Sequence, residues 1–498
     1  MRLTRAIIRV LALAAGTEAL NVFKLPFRKA IASTPVDRLS KRFFSVPYHN
    51  NFPVYLVDIT VGTPPQNLQV VLDTGSSDLI VETTSSDLCT SNSSPCTYGA
   101  YSANASSTYQ YVSSTLQVSY AGGEEGSGDF VKDTFRIGEA ILPNFQFGAM
   151  YKTGVTRNIF GVGYVDNEFA RTSERYPNFP VALVAAGYIP SRVFSLYLDS
   201  DLDESGGTVL FGGIDTQKYC GPLSKLVTQK TNFLIPKVAE FLVTLKSVSG
   251  IKNGAHTSFA TGTVSSNALL DSGTTVTFLP VDLAFEIYTY VGGSFDFDNQ
   301  VARVPCSVKD QDITIQYEFD TITINVLISQ LVGFPDGTGS CYFGIFPTNS
   351  QIILGDTFLS SAYAVFDLDN NNVYLAQAQF NSMEENIVQI QAGPNGVPQP
   401  NGACAGNPTS TTTTATATTT ATTTPTTTSS TTRSTTRSIT TTTMTTSRTT
   451  SQTTSRSTTK TITVPTTTKN PSTKSTTTKL TAPTPAPPKC YKVSHDQE

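Results

Sequence analysis

The chain is 498 residues long, with 39% hydrophobic residues, seven cysteines, three histidines, no tryptophan and a formal net charge of −4. That length exceeds one hydrophobic core, and the apolar fraction suffices for two lobes once a polar tail is set aside. The small net charge hides an asymmetry: residues 43–407 hold 15 basic against 34 acidic side chains, a balance of −19, whereas residues 1–42 hold nine basic and two acidic ones. An acidic body argues against a nucleic-acid partner, because phosphate attraction needs a basic face.

At the N-terminus, Arg2, Arg5 and Arg9 flank or precede the apolar run Val10 to Ala15, and Thr17 and Ala19 are small residues at cleavage offsets. Residues 1–19 therefore read as a signal peptide. Residues 20–42 are basic and end in Lys41-Arg42, which reads as a propeptide with a dibasic processing site before Phe43. Beside an acidic body, such a segment binds at neutral pH and loosens as carboxylates protonate. Strand-like alternation then recurs, as in Phe52 to Val61, Val131 to Ile141 and Tyr363 to Leu375, with Gly, Asn and Asp marking turns. Helical spacing is confined to Val181 to Ala186 and Val281 to Val291, the second opened by Pro280. The reading divides the body into lobes over 43–225 and 226–385, followed by a junction over 386–407. Residues 408–487 form a Thr/Ser/Pro tract without an acid, too polar to bury a core and similar in composition to an O-glycosylated stalk. Residues 488–498 are a polar tail, without the apolar signal of a lipid anchor. No stretch is long and apolar enough to span a membrane.

Two stretches carry the chemistry: Val70-Val71-Leu72-Asp73-Thr74-Gly75-Ser76-Ser77 and Ala268-Leu269-Leu270-Asp271-Ser272-Gly273-Thr274-Thr275. Each is an apolar strand ending in an acid. A carboxylate at the end of a buried strand needs hydrogen bonds to offset its desolvation, and small hydroxyl residues and a glycine follow at once to supply donors. One such turn is common in β proteins. Two copies point to a pair of acids that share one proton, one acting as acid and the other as base on a bound water. Competing chemistries lack support. There is no Cys-X-X-Cys pair, no HExxH motif around His49, His256 or His495, and no G-x-S-x-G elbow. Gly206-Gly207 and Gly212-Gly213 lack the Gly-Lys-Ser/Thr of a phosphate cradle and read as hairpin turns.

With these motifs the chain resembles the pepsin-like aspartic proteases, and more closely their secreted and wall-associated fungal branch, the candidapepsin- or yapsin-like endopeptidases. The resemblance covers about residues 50–380. Besides both acid motifs it includes Val57-Asp58-Ile59-Thr60-Val61-Gly62-Thr63-Pro64-Pro65-Gln66, Gly207-Thr208-Val209-Leu210-Phe211-Gly212-Gly213-Ile214-Asp215, and the pair Ile159-Phe160-Gly161 and Ile353-Leu354-Gly355.

The resemblance implies an all-β, bilobal fold with a few short helices, and Asp73 and Asp271 as the catalytic dyad. It implies that Ser76 and Thr274 bond the outer carboxylate oxygens, that Gly75 and Gly273 donate backbone N–H groups to the acids, and that Thr74 and Ser272 form a crossed pair joining the two loops. Val118 to Gly123 resembles the flap over the substrate, with Tyr120, Ala121 and Gly122 at its tip. Two departures stand out: Ile80 occupies the position where the family carries a tryptophan bonded to the flap tyrosine, and Ala121 replaces the usual flap glycine.

Cysteine usage suits an oxidising compartment. Cys89 and Cys96 bracket a short polar loop, and Cys306 and Cys341 match the family's second-lobe bridge; Cys220, Cys404 and Cys490 remain, an odd number. Asn92 and Asn104 lie in N-glycosylation sequons. The expectation is a secreted, monomeric aspartic endopeptidase made as a zymogen, acting on peptide or protein substrates at acidic pH without cofactor or metal, with cell-wall association through the stalk. The alternative is a wall or binding protein that kept the fold and lost turnover.

Overall fold

A computed structural model describes residues 20–30, 54–91, 96–120, 123–199, 205–231 and 237–403. The expected signal peptide, the propeptide beyond residue 30, the stalk and the tail lie outside the described residues, as do Asn92, Ala121 and Gly122.

Strands dominate because the sequence alternates at period two around turn residues. Strand Val54–Val61 turns through Gly62 and pairs antiparallel with strand Gln66–Asp73, Leu56 opposite Val71 and Val61 opposite Gln66. Towards its end the second strand is buried on both faces, with Val70, Val71, Leu72 and Asp73 all inside, so its apolar run is continuous rather than alternating. Strand Asn158–Gly161 lies parallel beside it, Gly161 opposite Asp73. The second half repeats the device: strand Ala255–Leu270 runs parallel to strand Ile352–Leu354, Leu270 opposite Leu354, and Asp271 follows at once. The first strand pair belongs to a 13-stranded sheet and the second to a seven-stranded one.

The halves share more than symmetry. After the second parallel strand the chain returns, and strands Ala362–Asp367 and Asn372–Ala378 enter the 13-stranded sheet beside Val193–Leu198 and Tyr219–Val227. Residues 386–403, set apart by composition as a junction, pack onto the body. Strand Ile387–Gln389 pairs with Gly213–Asp215, Ile390 and Val397 are buried, and Gly402 bridges Gly221. Strand Phe23–Ala30, inside the segment read as propeptide, also belongs to the large sheet, between Ser205–Phe211 and Val54–Val61. Its alternation explains this: Phe23, Leu25 and Phe27 are buried, while Lys24 and Arg28 face outward and pair with Glu385 and Asp58.

Both helical segments of the sequence fold as helices, over Phe179–Ala185 and Val281–Val291. The latter buries Leu283, Ala284, Ile287, Tyr288 and Val291 and ends at Gly292 in the left-handed region, φ 73°. Cys89 is bonded to Cys96 and Cys306 to Cys341, and Cys220 is also disulfide-bonded. Asn104 is exposed on a single 3₁₀ turn, open to modification.

Two glycines set how closely the parallel strands pass the acid loops. A Cβ on Gly355 would sit 2.2 Å from the Thr274 carbonyl oxygen, and one on Gly161 would sit 2.5 Å from the Ser77 and Asp78 nitrogens. Backbone cannot yield there as a side-chain tip would. Gly161→Ala or Gly355→Ala should therefore lower unfolding free energy by at least about 1–3 kcal/mol, the usual cost of overpacking. Urea unfolding would measure this, and an unchanged midpoint would contradict it.

Candidate active site

Asp73 and Asp271 each end a buried strand, with 5% and 7% of their surface exposed. The loops that follow satisfy them in the same way. Gly75 N–H donates to Asp73 Oδ1 at 2.7 Å and Ser76 Oγ–H donates to Asp73 Oδ2; Gly273 N–H donates to Asp271 Oδ1 at 2.9 Å and Thr274 Oγ1–H to Asp271 Oδ2 at 2.6 Å. Thr74 and Ser272 cross between the loops. Thr74 N–H donates to Ser272 Oγ at 3.2 Å and Ser272 N–H to Thr74 Oγ1 at 3.0 Å, while the two hydroxyls donate onward to the carbonyls of Leu270 and Leu72 at 2.9 and 2.8 Å. Four buried bonds between chain segments nearly two hundred residues apart fix the distance between the acids.

That distance is short. A Cβ on Gly75 would lie 2.6 Å from Asp271 Oδ1, and a Cβ on Gly273 would lie 2.5 Å from Asp73 Oδ1, so each carboxylate rests against the other loop's glycine. Burial first, and then the charge of Asp271, hold the Asp73 carboxyl well above the usual carboxylate range. Asp73 thus holds its proton to higher pH than an exposed acid does.

Tyr120, whose hydroxyl is held above its ordinary range by burial and then by the charge of Asp73, closes the turn before Glu125. Its N–H donates to the Glu124 carbonyl at 3.0 Å and its carbonyl accepts from Gly123 at 2.9 Å. Its hydroxyl is buried and has no hydrogen-bond partner among the described residues. Ile80, where an indole donor would stand in the family, is 1% exposed in an apolar cluster with Leu116, Val118, Phe130 and Met150.

Sequence reasoning missed several acids around this centre. Asp356 follows Gly355, is buried, and is pushed well above the usual range by burial and then by Asp271. Glu240 is raised by burial and by the same charge. Asp78, fully buried five residues after Asp73, accepts from Tyr176 Oη–H at 2.5 Å and Phe169 N–H at 2.9 Å, and burial pushes it to about 6. Its position just past a catalytic-type turn was the only signal available, because partners about 90 residues away leave no local pattern. Glu82 and the two sulfurs of Cys89 and Cys96 bring three donor atoms within 4.8 Å, but the disulfide occupies both sulfurs, so they offer no thiolate.

The model of the eukaryotic aspartyl protease family matches residues 54–378. The chain belongs to that family. Among its relatives, the probable aspartic-type endopeptidase opsB of Aspergillus fumigatus is 37% identical over 76% of this chain and 80% of its own length. Secreted aspartic protease 8 of Candida albicans is 35% identical over 66% of the chain and 77% of its own length, and barrierpepsin of Saccharomyces cerevisiae 32% over 69% and 63%. This aspartyl protease is accordingly an aspartic-type endopeptidase of the pepsin-like fold, all-β with few short helices. Among the described residues no helix is long and apolar enough to cross a membrane.

The buried acids make the protease's stability depend on pH in a definite direction. Burial pushes Asp78 to about 6, Glu82 to about 7 and Glu168 to about 9, each above its unfolded value near 4. The folded state therefore binds more protons than the unfolded chain between about pH 4 and 9, and stability falls as pH rises through that window. Half-buried Asp296, lowered to about 2 by Asn299 and Arg303, acts oppositely but only below pH 4, and solvent partly screens it. Thermal melts of a dyad-blocked variant should peak near pH 4–5 and fall steadily towards pH 9; a maximum at or above pH 7 would contradict this.

Proposed function

We propose that Asp73 and Asp271 share one proton and hydrolyse peptide bonds through a water held between them. The observation that carries this reading is the facing arrangement of the two carboxylates, each lodged against the other loop's glycine. The ionised member takes a proton from water, and the hydroxide so formed adds to the peptide carbonyl. The protonated member gives its proton to the carbonyl oxygen. Collapse of the tetrahedral adduct returns a proton to the departing nitrogen, and no covalent enzyme intermediate forms. Ser76, Thr274 and the glycine N–H groups hold the outer oxygens still, so the inner pair meets the water in one geometry.

We further infer that the chain is secreted, made as a zymogen and active in acid. The relative named secreted aspartic protease 8, the Arg-flanked apolar N-terminus and the disulfides support secretion. Zymogen behaviour rests on strand Phe23–Ala30, whose exposed ion pairs Arg28–Asp58 and Lys24–Glu385 weaken as carboxylates protonate. The Thr/Ser/Pro tract is the segment suited to hold the enzyme at a cell wall. The alternative, a wall protein without turnover, is disfavoured by the complete set of donors around both acids.

Asp73→Asn or Asp271→Asn should abolish peptide cleavage while leaving the unfolding transition in place, since an amide cannot share the proton. Undiminished cleavage by either variant would end the proposal. A statine-type transition-state mimic should bind the wild type far more tightly than a substrate of the same sequence. Rate against pH should follow a bell on the acid side of neutrality, because activity needs one ionised and one protonated carboxyl. Full activity above about pH 8 would exclude a shared proton.

A further inference from the structure

Tyr120 feels the charge of Asp73, yet its buried hydroxyl bonds to nothing among the described residues, and the position that carries an indole donor in the family is Ile80. Its ring, by contrast, has a defined partner. Phe169 meets it edge-on, ring centroids 5.4 Å apart and planes at 81°. Phe169 itself sits in a segment tied to the first acid loop. Its N–H donates to Asp78 Oδ2 at 2.9 Å, the neighbouring Asn167 Nδ2–H donates to the Gly75 carbonyl at 3.0 Å, and Tyr176 Oη–H donates to the other Asp78 oxygen at 2.5 Å. The Tyr176 ring then packs edge-on against Phe130, centroids 5.9 Å apart, on the strand that pairs with the strand leading to Tyr120. Asp78 is fully buried, and its backbone carbonyl accepts at 2.9 Å from the N–H of Gly161, the residue opposite Asp73 on the parallel strand.

We propose that Asp78, Phe169 and Tyr176 form a brace that positions the flap tyrosine over the dyad by its ring face rather than by its hydroxyl. This rests on the catalytic reading above. Asp78 is a positioning residue: it touches neither substrate nor the reacting atoms, and acts by holding the Phe169 backbone where the ring meets Tyr120. Held by a buried carboxylate with two donors, Phe169 is a stiff support, and an aromatic edge-to-face contact is directional enough to set the tyrosine's angle.

The test is steady-state kinetics on one peptide substrate, with active sites counted by titration with a statine-type inhibitor, on the full chain processed as in its host. In the Tyr120→Phe background, Phe169→Leu should lower kcat/KM by the same factor as in the wild type, since the contact is made by the ring and not by the hydroxyl. Phe169→Leu should lower it about three- to tenfold per titrated site, the scale of one aromatic pair, and Phe169→Tyr, which keeps the ring, should recover most of that loss. Tyr176→Phe should lower kcat/KM in the wild-type background and have no further effect in the Phe169→Leu background, because both act through one contact. A different factor for Phe169→Leu in the Tyr120→Phe background, unchanged kinetics in Phe169→Leu, or additive losses from Phe169→Leu and Tyr176→Phe would each overturn the brace. So would a fall in unfolding midpoint with kcat/KM per site intact, which marks a merely structural role. A wild type that neither binds the inhibitor nor cleaves peptide defeats the catalytic reading itself, whereas failure of the variants alone defeats only the brace.

Discussion

Two buried carboxylates held face to face are the constraint on which the rest of this molecule depends. Like charges about 4 Å apart repel by roughly 4 kcal/mol at the effective dielectric of a protein, and burial adds to the cost of each. One retained proton removes most of the repulsion, as the raised Asp73 carboxyl reflects. The remainder is opposed by geometry. Thr74 and Ser272 bond across the gap in both directions and extend the link to the carbonyls of Leu270 and Leu72, so the loops cannot separate without breaking four buried hydrogen bonds.

Those loops in turn need rigid supports, and the parallel strands ending at Gly161 and Leu354 provide them. Only glycine lets a backbone pass as near as 2.2 Å from where a Cβ would meet the neighbouring carbonyl. The return of strands Ala362–Asp367 and Asn372–Ala378 into the large sheet ties the second half of the chain to the first, so the crossed loops are not required to hold the halves together alone. Fold and site thus reinforce one another through backbone pairing rather than through surface charge.

The interior around the site is adapted to acid. Asp78, Glu82, Glu168 and Asp356 are all raised by burial, and each is cheapest to keep inside while protonated. Acids raised in this way favour the folded state on the acid side of neutrality, the same side on which the proposed proton sharing of the dyad would operate. The acidic exterior, also least repulsive when partly protonated, points the same way.

The sequence by itself determined the fold class, the two acid loops and the partners nearest to each acid. All of these are local: an apolar strand, an acid, then hydroxyl and glycine within three residues, written twice. It also specified the two longest helices, Phe179–Ala185 and Val281–Val291, the latter through apolar spacing opened by Pro280. Only the tertiary structure decided what meets across the chain. That Phe23–Ala30 and residues 386–403 join the body was hidden, since short amphipathic strands in basic or Pro-rich surroundings look like leader and linker until a sheet edge is there to receive them. Tyr120's support was hidden for the same reason. Phe169 and Tyr176 lie in an irregular segment with no periodicity, and their bonds to Asp78 span about 90 residues, a distance over which composition carries no signal and only folding brings partners together.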